Sequence, residues 1–375
     1  MRVLVTGATG LVGSAIVREL VSRDHAVRAL VRGSSDLSNL TGATVELARG
    51  DILDPPSVAA AVRGCDAVIH AAGLVGFRPG MRERLLEVNV RGVEIVFAAA
   101  RAAGVRRAVL VSSTSAAGGS FSPRFADEAT PSNAERLGID YFVSKWRGEQ
   151  AAHAEARDGL EVVVLRPGYV LGPGDLGRSS GATVLQFVTG RLPGYVEGGV
   201  SFTDVRDVAR AHVAAIEREA VRGTYFLGGH NLRMSEAVRR TAALCGLPCP
   251  RQIPYPVALA ASLAGALRER LGGKRWLPID FIRSTSMYTF VSSARAEREL
   301  GYSVRPYEEM TRDTLAWWIA RGRLEPKTPE LAAIARQANL VYVRAPAPVP
   351  APKARSASKR KRAPAVSNGV PAPPA

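Results

Sequence analysis

Cysteine is scarce in this chain of 375 residues, with three in all, at Cys65, Cys245 and Cys249. Three cysteines cannot build the disulfide framework of a small secreted domain, and no histidine is placed to complete a zinc site with Cys245 and Cys249. We therefore expect no metal site and a reducing compartment, the cytoplasm. We also expect no secretory leader, because Met1 and Arg2 are followed at once by an apolar segment and a glycine loop.

Long apolar runs are missing as well. The longest covers residues 255–267, thirteen positions that include Ser262, whereas a helix needs about 20 apolar residues to cross a bilayer. We therefore expect no transmembrane segment. The run predicts a helix, which would be either a core helix or one that covers an apolar substrate pocket or touches a membrane surface.

Acidic residues are absent from residues 344–375, which carry seven Lys or Arg, eight Pro and nine Ala. A segment of this composition cannot bury enough apolar surface to fold, so it predicts a disordered basic tail. Because the whole chain has a net charge of +16, the remainder carries +9. Within this tail, residues 353–362 contain six of the seven basic side chains. They could make weak contacts with nucleic acid or an anionic membrane, or serve only to keep the chain in solution.

Short apolar runs alternate with helical spacing in the first part of the chain. Six strands are predicted, at residues 2–6, 26–31, 44–48, 66–70, 106–112 and 161–166. Strands that alternate with helices predict an α/β fold, here a Rossmann-type doubly wound parallel sheet formed by residues 1–166. Residues 167–330 are expected to form mainly a smaller C-terminal substrate-binding lobe, with some segments returning to the sheet.

A glycine-rich segment, TGATGLVG, joins the first strand to the first helix. Glycines there allow a tight turn and close approach of a pyrophosphate, while the helix N-terminus offers its partial positive charge. The segment therefore predicts the phosphate loop of a dinucleotide cofactor. Its cofactor-binding residues are Thr6, Gly7, Thr9, Gly10, Leu11, Val12 and Gly13.

The end of the second strand bears on the choice of dinucleotide. An acid there holds the ribose hydroxyls of NAD, whereas an arginine accommodates the extra phosphate of NADP. The segment LVRGSS contains Arg32 and no acid, which favours NADP over NAD. Two later segments, GDILD and HAAG, follow or close strands and would border the cofactor through Asp51, Ile52, Ala71, Ala72 and Gly73. His70, in the second of them, is expected to be structural.

Tyr141 and Lys145 are four residues apart in YFVSK, a spacing that places both on one helix face. A positive charge beside a tyrosine hydroxyl stabilises the phenolate and lowers its pKa from about 10 toward the working pH, as proton transfer requires. A hydroxyl-rich strand end, SSTS, lies upstream, and one of its hydroxyls should hold the substrate oxygen beside Tyr141. Ser113 is the first choice, followed by Ser112 and then Thr114.

These segments together resemble the extended short-chain dehydrogenase/reductase superfamily, the group that contains NAD-dependent epimerases and dehydratases. The resemblance extends from residue 1 to about residue 322 and includes the further motifs NVRGVEIVFAAARAAGV, LRPGYVLGPGD and FTDVRDVARAH. Within the superfamily the chain is similar to dihydroflavonol-reductase-like proteins, hopanoid-associated sugar epimerases and 3-beta-hydroxysteroid dehydrogenases.

The resemblance implies roles for the matching positions. Ser113, Tyr141 and Lys145 would be the catalytic set, with Tyr141 and Lys145 also binding the cofactor. Asn89 would join this set by supporting the active-site backbone from the helix beneath. Two further implications are a nicotinamide contact at Pro167 and Gly168 and a homodimer through the helices that contain residues 82–103 and 141–157.

The expected activity is hydride transfer between a nicotinamide cofactor, NADP or NAD, and a ketone or secondary alcohol. The apolar run at 255–267 and the preference for NADP favour an apolar small-molecule substrate. Two alternatives remain: a nucleotide-sugar epimerase or dehydratase with tightly bound NAD, and a non-catalytic cofactor-binding regulator that acts through the basic tail. Residues 172–203 suit either substrate class, because they include Arg178 and Arg191 as well as Tyr195 and Phe202.

Overall fold

The computed structural model describes residues 1–176, 180–273 and 277–341. The strands in this part of the chain are β1 (Arg2–Thr6), β2 (Ala26–Val31), β3 (Glu46–Arg49), β4 (Ala67–His70), β5 (Arg107–Val111), β6 (Phe125–Ala126), β7 (Glu161–Pro167), β8 (Tyr169–Leu171), β9 (Gly199–Asp204), β10 (Gly223–Leu227), β11 (His230–Arg233) and β12 (Tyr288–Val291). The predicted tail at 344–375, with its basic residues 353–362, lies outside the described residues.

The helices in the same part of the chain are α1 (Leu11–Ser22), α2 (Pro55–Val62), α3 (Arg82–Leu86), α4 (Gly92–Ala102), α5 (Ala134–Leu137), α6 (Asp140–Ala154), α7 (Gly181–Val188), α8 (Val205–Glu217), α9 (Met234–Cys245), α10 (Tyr255–Arg270), α11 (Ile279–Thr285), α12 (Ala294–Leu300), α13 (Tyr307–Ala320) and α14 (Pro329–Val341). None of them is long and apolar enough to cross a bilayer.

The main sheet has seven parallel strands in the order β10-β7-β5-β4-β1-β2-β3. This order confirms the predicted Rossmann-type sheet. The six predicted strands appear in it, β1 and β2 with the predicted bounds and the other four with ends that differ by at most two residues. The seventh strand, β10, comes from beyond residue 166. The second part of the chain therefore contributes to the main sheet as well as to the structure above it.

Alternating side chains along each strand cover both faces of the main sheet. In β1, Val3 and Val5 pack with Ile16 of α1 in one apolar cluster, while Leu4 packs with Phe97 of α4 in another. Side chains of a strand point alternately to the two faces, so a strand that is apolar throughout requires helices on both sides. The helices α1 and α8 cover the first face, and α2 and α4 cover the second.

The predicted helix over residues 82–103 is interrupted. A π-helical turn, Glu87–Arg91, separates α3 from α4. Single π turns inside helices are frequent at functional sites, because they redirect side chains that regular helical spacing would point elsewhere. The redirected side chain here is the buried Asn89, which lies against the loop after β4 and against α6.

A second, smaller sheet begins at the carboxyl end of the main one. Its order is β11-β9-β12-β6, and β8 also pairs with β9. Since β8 begins at Tyr169, directly after β7 and Gly168, the chain passes straight from one sheet into the other. This connection places the second sheet beside the strand ends at which ligands bind in open α/β sheets.

The apolar run at 255–267 lies in α10, which is a surface helix. Only Ala258 and Ser262 of this helix are buried. The expectation of a core helix is therefore wrong, because α10 packs on the rest of the protein along one narrow side only.

Candidate active site

The glycine loop folds into a turn that no other residue could form at two of its positions. Gly7 has a φ of +66°, and a Cβ atom there would lie 2.4 Å from the Ala72 backbone nitrogen. A Cβ atom on Gly13 would lie 2.1 Å from the Gly7 carbonyl oxygen. Strand β1, helix α1 and the segment after β4 can therefore meet only because both residues are glycines.

The loop fits the pyrophosphate of a dinucleotide. Gly10 precedes α1 and is exposed, and no side chain of the described residues caps the helix. The amide groups of the first turn, which includes Leu11 and Val12, therefore remain open to an anion at the positive end of the helix. Thr9 is partly exposed, and its carbonyl oxygen accepts a hydrogen bond from Asn39 Nδ2 at 3.2 Å.

Thr6 holds the loop from behind. Its buried hydroxyl lies 2.9 Å from His70 Nδ1 and accepts a hydrogen bond from the Ala72 amide at 3.3 Å, while its carbonyl accepts from Ala71. The Thr6 side chain thus faces β4, so a cofactor contact at this position would come from the backbone. His70 is fully buried, and burial together with the charge of Lys145 lowers its pKa to about 3. A neutral, buried His70 agrees with the structural role expected from the sequence.

Arg32 lies at the end of β2 on the surface and forms no ion pair with the described residues. Arg49, at the end of β3, lies beside it and donates from Nη1 to the Arg32 carbonyl oxygen at 3.3 Å. Sequence reasoning missed Arg49, although its place directly before GDILD was a usable signal. Two arginines therefore follow neighbouring strands at the point where the adenosine end of a dinucleotide binds in such sheets.

Asp51 and Ile52 lie next to the same strand ends. Asp51 Oδ1 accepts a hydrogen bond from the Leu53 amide at 3.0 Å, so part of this carboxylate closes a turn. Ile52 lies against the start of α4, where a Cβ atom on Gly92 would lie 2.7 Å from its Cδ1 atom. The segment after β3 therefore forms a turn at Asp51 and packs through Ile52 against α4, on the second face of the sheet.

Ser113 and Tyr141 lie together at the carboxyl end of β5. Burial raises the pKa of the Tyr141 hydroxyl, and a hydrogen bond with the Ser113 side chain acts in the opposite direction. Both side chains line the same cavity. The cavity brings together two of the three residues that the sequence proposed as catalytic, one from the segment after β5 and one from α6.

Lys145 lies one turn after Tyr141 on α6. Its Nζ atom donates a hydrogen bond to the Val111 carbonyl oxygen at 3.0 Å, and a Cβ atom on Gly73 would lie 3.8 Å from it. Burial lowers the pKa of Lys145 to about 8, while the nearby carboxylate of Glu149 opposes this effect. Lys145 therefore lies between the end of β5 and the segment after β4, where a nicotinamide ribose would be held.

Ser112, the second choice for the catalytic hydroxyl, is engaged elsewhere. It donates to the carboxylate of Glu149, which forms a buried ion pair with Arg166. Thr114, the third choice, lines the cavity together with Ser113. The structure therefore separates Ser112 from Ser113, Thr114 and Ser115, which all line the cavity.

Asn89 acts on the site through two other elements. Its Oδ1 atom accepts from the Leu74 amide at 2.8 Å, and its Nδ2 atom donates to the Leu74 carbonyl at 2.9 Å and to Ser144 Oγ at 2.9 Å. Both polar atoms of the side chain are satisfied by these contacts. Asn89 is thus arranged as a positioning residue, which joins the loop after Gly73 to the helix that carries Tyr141 and Lys145.

Pro167 and Gly168 carry the chain from β7 past the cavity. A Cβ atom on Gly168 would lie 2.1 Å from the Ser201 carbonyl oxygen, so only glycine allows the connection between β7 and β8 to approach β9 so closely. Gly168 also lines the cavity. The predicted nicotinamide contact is therefore at the edge of the space that a substrate would fill.

The cavity has a volume of about 250 Å³ and is mainly apolar and aromatic. No Lys, Arg, Asp or Glu of the described residues lines it. Tyr195 and Phe202 are part of its wall, whereas Arg191 is exposed outside it, and Arg178 lies outside the described residues. The wall is formed mainly by Val75, Phe77, Tyr141, Phe142, Tyr169, Val184, Phe187, Leu192, Tyr195, Val200, Phe202, Met234, Val238, Phe281 and Tyr307.

Two aromatic residues of the cavity wall, Phe77 beside Tyr141 and Phe281 beside Phe77, were missed by sequence reasoning. The ring centroid of Phe77 lies 5.5 Å from that of Tyr141 and 5.9 Å from that of Phe281, both in edge-to-face geometry. Phe77 and Phe281 are about 200 residues apart and belong to no motif, so nothing in the sequence paired them. Both residues add apolar surface to the cavity that Tyr141 lines.

Comparisons with known proteins agree with this geometry. The profile of the NAD dependent epimerase/dehydratase family matches residues 3–228. A putative dihydroflavonol 4-reductase from Synechocystis is 31% identical over 85% of this chain and 94% of its own length. Sterol demethylase protein B from Methylococcus capsulatus is 34% identical over 86% of this chain and 100% of its own length.

A solved structure of similar fold is MoeE5 in complex with UDP-glucuronic acid and NAD. Its sequence is 26% identical to this chain, and the two structures superimpose over 86% of this chain and 100% of MoeE5 with a TM-score of 0.68. These relatives thus include a protein named as a putative reductase and a protein whose structure contains NAD. The chain belongs to the NAD dependent epimerase/dehydratase family and is an NAD(P)-dependent oxidoreductase or epimerase of the extended short-chain dehydrogenase/reductase type.

Proposed function

We propose that this protein is a reductase or dehydrogenase for a ketone or secondary alcohol of an apolar small molecule. The observation that carries the proposal is the cavity around Ser113 and Tyr141, whose described wall contains no charged side chain. A ligand with a diphosphate would leave its charges against aromatic and aliphatic side chains, at a large cost in desolvation. An apolar substrate would bury its surface there and need polar partners only at its oxygen.

The roles of the chain's own residues follow from their positions. The hydroxyls of Ser113 and Tyr141 hold the substrate oxygen, and Tyr141 donates the proton in reduction or accepts it in oxidation. Lys145, fixed by the Val111 carbonyl, supplies positive charge near Tyr141 and holds the cofactor ribose. Asn89 keeps the loop and helix of the site in register. When bound, the nicotinamide supplies or accepts the hydride.

We propose NADP as the preferred cofactor, with NAD as the alternative. Support comes from Arg32 and Arg49, two exposed arginines at the ends of β2 and β3, where an added ribose phosphate would meet them. The remaining cofactor contacts are proposed for the glycine loop from Thr6 to Gly13, for Asp51 and Ile52, for residues 71–73, for Tyr141 and Lys145, and for Pro167 and Gly168.

The likeness to a solved protein with UDP-glucuronic acid and NAD supports a second candidate, a nucleotide-sugar epimerase or dehydratase that retains NAD. In that case the hydride returns to the substrate, and no cofactor is consumed. A regulator acting through the basic tail would show neither activity.

Three further properties are part of the proposal. Resemblance to the family supports a homodimer through the helices that contain residues 82–103 and 141–157. The cysteines support a cytoplasmic location, because all three are free thiols. Residues 353–362 would add weak contacts with nucleic acid or an anionic membrane through their charge.

The test is turnover on two substrate panels, apolar ketones and nucleotide sugars, after titration of the purified protein with NADPH and NADH by fluorescence. We expect consumption of NADPH on ketones, and a loss of about 100-fold to 10,000-fold in kcat for Tyr141→Phe with cofactor binding retained. Tyr288→Phe is the matched control, since Tyr288 does not line the cavity. Sugar interconversion without net consumption of cofactor would establish the epimerase instead.

A further inference from the structure

The surface helix α10 concentrates exposed apolar side chains. Val257, Leu263, Leu267 and Leu271 are 57%, 53%, 60% and 80% exposed, the last at the C-cap of the helix. Large apolar residues exposed singly are ordinary on a protein surface, but four in one helical segment form a patch that marks an interaction site.

These four residues lie on one side of the helix. At about 100° per residue they fall within an arc of about 120°, opposite the two buried residues of the helix, Ala258 and Ser262. Two alanines, Ala260 and Ala264, lie in the same arc and are also exposed. The apolar face of α10 (Val257, Ala260, Leu263, Ala264, Leu267 and Leu271) is therefore continuous and turned away from the protein.

Positive charge borders this face on both sides. In the last turn of the helix, Arg270 lies at one margin of the arc and Arg268 at the other, both exposed and without an ion pair among the described residues. The sequence continues with Lys274 and Arg275. An apolar face bordered by basic side chains is the pattern of a helix that lies in the interface of an anionic bilayer.

The inner side of α10 packs on the wall of the active-site cavity. Ala258 packs against Ile282 of α11, and Ser262 Oγ donates a hydrogen bond to the Leu277 carbonyl oxygen at 2.7 Å. Phe281 of α11 lines the cavity and contacts Phe77 beside Tyr141. One short helix therefore separates the outward apolar face from the catalytic pocket.

We propose that the apolar face of α10 docks on the surface of an anionic lipid bilayer, from which the enzyme takes its apolar substrate. Docking follows from the exposed leucines and their flanking arginines alone, whereas the origin of the substrate rests on the proposed function. The helix would lie in the headgroup region without crossing the membrane. The cavity behind α11 would then open close to the phase in which an apolar ketone or alcohol is dissolved.

The test is binding of the full chain to phosphatidylcholine vesicles with and without phosphatidylglycerol, measured by flotation. We expect binding that requires phosphatidylglycerol, weakened by at least about tenfold in the Leu263→Gln, Leu267→Gln double variant. The Arg268→Gln, Arg270→Gln variant should lose about thirtyfold. The matched control is Leu47→Gln, which removes a leucine that is 42% exposed on β3 and should bind as the unchanged protein does.

Two outcomes would overturn docking by α10. Vesicle binding that is unchanged in the double leucine variant would assign the contact to another surface, such as the basic tail. A double leucine variant that converts a dimer to a monomer in sedimentation, with no vesicle binding by the unchanged protein, would make this face an interface between two chains.

Turnover separates docking from the proposed function. A water-soluble ketone should be reduced equally by the unchanged protein and the double leucine variant, while a ketone dissolved in vesicles should be reduced at least about tenfold more slowly by the variant. Failure to reduce either ketone would contradict the proposed function, and the flotation result would still decide whether α10 docks. Equal rates on the vesicle-bound ketone would refute delivery of substrate from the membrane.

Discussion

Glu149 and Arg166 form an ion pair inside the protein, with Arg166 Nη2 2.6 Å from Glu149 Oε2 and side chains that are 8% and 1% exposed for arginine and glutamate. The same carboxylate accepts a hydrogen bond from Ser112. Glu149 lies one turn after Lys145 on α6, and Arg166 lies just before Pro167 and Gly168. The pair therefore joins α6, the helix that carries Tyr141 and Lys145, to β7, the strand that leads past the cavity.

Replacement of Glu149 by Gln should destabilise the protein strongly. Arg166 would remain buried without a partner charge, and breaking a buried ion pair in this way costs about 3–5 kcal/mol. Urea denaturation measures the loss. The control is Glu135→Gln, which breaks an ion pair with Arg147 whose side chains are 49% and 43% exposed and should cost less than about 1 kcal/mol. An equal decrease in the free energy of unfolding for the two variants would show that the buried ion pair contributes no more to stability than the exposed one.

Replacement of Gly7 by Ala should abolish cofactor binding. The added Cβ atom would lie 2.4 Å from the Ala72 nitrogen, so the loop or the segment after β4 must move. Gly64→Ala is the matched control, because Gly64 has a φ of +73° but a Cβ there would meet only Arg2 Nη1, at 4.0 Å. The control should lose about 1–3 kcal/mol of stability from backbone strain and still bind NADPH. Fluorescence titration that gave the same affinity for both variants would contradict the steric explanation.

Replacement of Arg32 by Ala should weaken NADPH binding and leave NADH binding nearly unchanged. A hydrogen bond to a charged group contributes about 1.5–3 kcal/mol, which corresponds to roughly tenfold to a hundredfold in affinity. Arg63→Ala removes the same charge from another exposed position, at the end of α2, and serves as the control. Parallel titrations with the two cofactors measure the effect. An equal loss for NADH and NADPH would argue against a phosphate contact at Arg32.

The buried His212 should make the protein less stable in mild acid. Burial lowers the pKa of His212 to about 4 from its ordinary value of 6.5, although the Val208 carbonyl partly opposes this effect. Between pH 6.5 and pH 4 the unfolded chain therefore binds a proton that the native protein does not. Native stability falls as the pH is lowered through this range, with a slope of at most about 1.4 kcal/mol per pH unit from this group.

The variant His212→Phe removes this group while keeping a buried ring. The free energy of unfolding, measured in urea at several pH values, should fall less steeply with decreasing pH than in the unchanged protein. At pH 8 the histidine is neutral in both states, so the difference there reports packing and the lost hydrogen bond alone. Parallel curves from pH 8 to pH 4 would show that His212 titrates equally in the folded and unfolded protein.

Local features of the chain were sufficient to predict several parts of the site. The positive φ of Gly7 and the contact between Gly13 and the Gly7 carbonyl oxygen both arise within one strand–turn–helix unit. The spacing of Tyr141 and Lys145 places them on one helix face whatever surrounds the helix. The six predicted strands are mainly apolar and alternate with helical segments, and such a pattern is typical of a parallel sheet covered on both faces. Periodicity and backbone sterics act over a few residues, and a sequence displays them directly.

Other parts were decided only when distant segments packed together. Ser112 and Ser113 are neighbours of the same type in the sequence. In the structure Ser112 is hydrogen-bonded to Glu149 of α6, whereas Ser113 lines the cavity. The apolar wall of the cavity contains Phe77 and Phe281, which are distant in the sequence. The apolar run in α10 is exposed because only one narrow side of that helix packs on the rest of the protein. The sequence by itself determined the sheet, the cofactor loop and the Tyr141–Lys145 spacing, because each depends on neighbouring residues. The tertiary structure alone decided the accessible hydroxyl, the character of the cavity and the outward face of α10, because burial is a property of the packed chain.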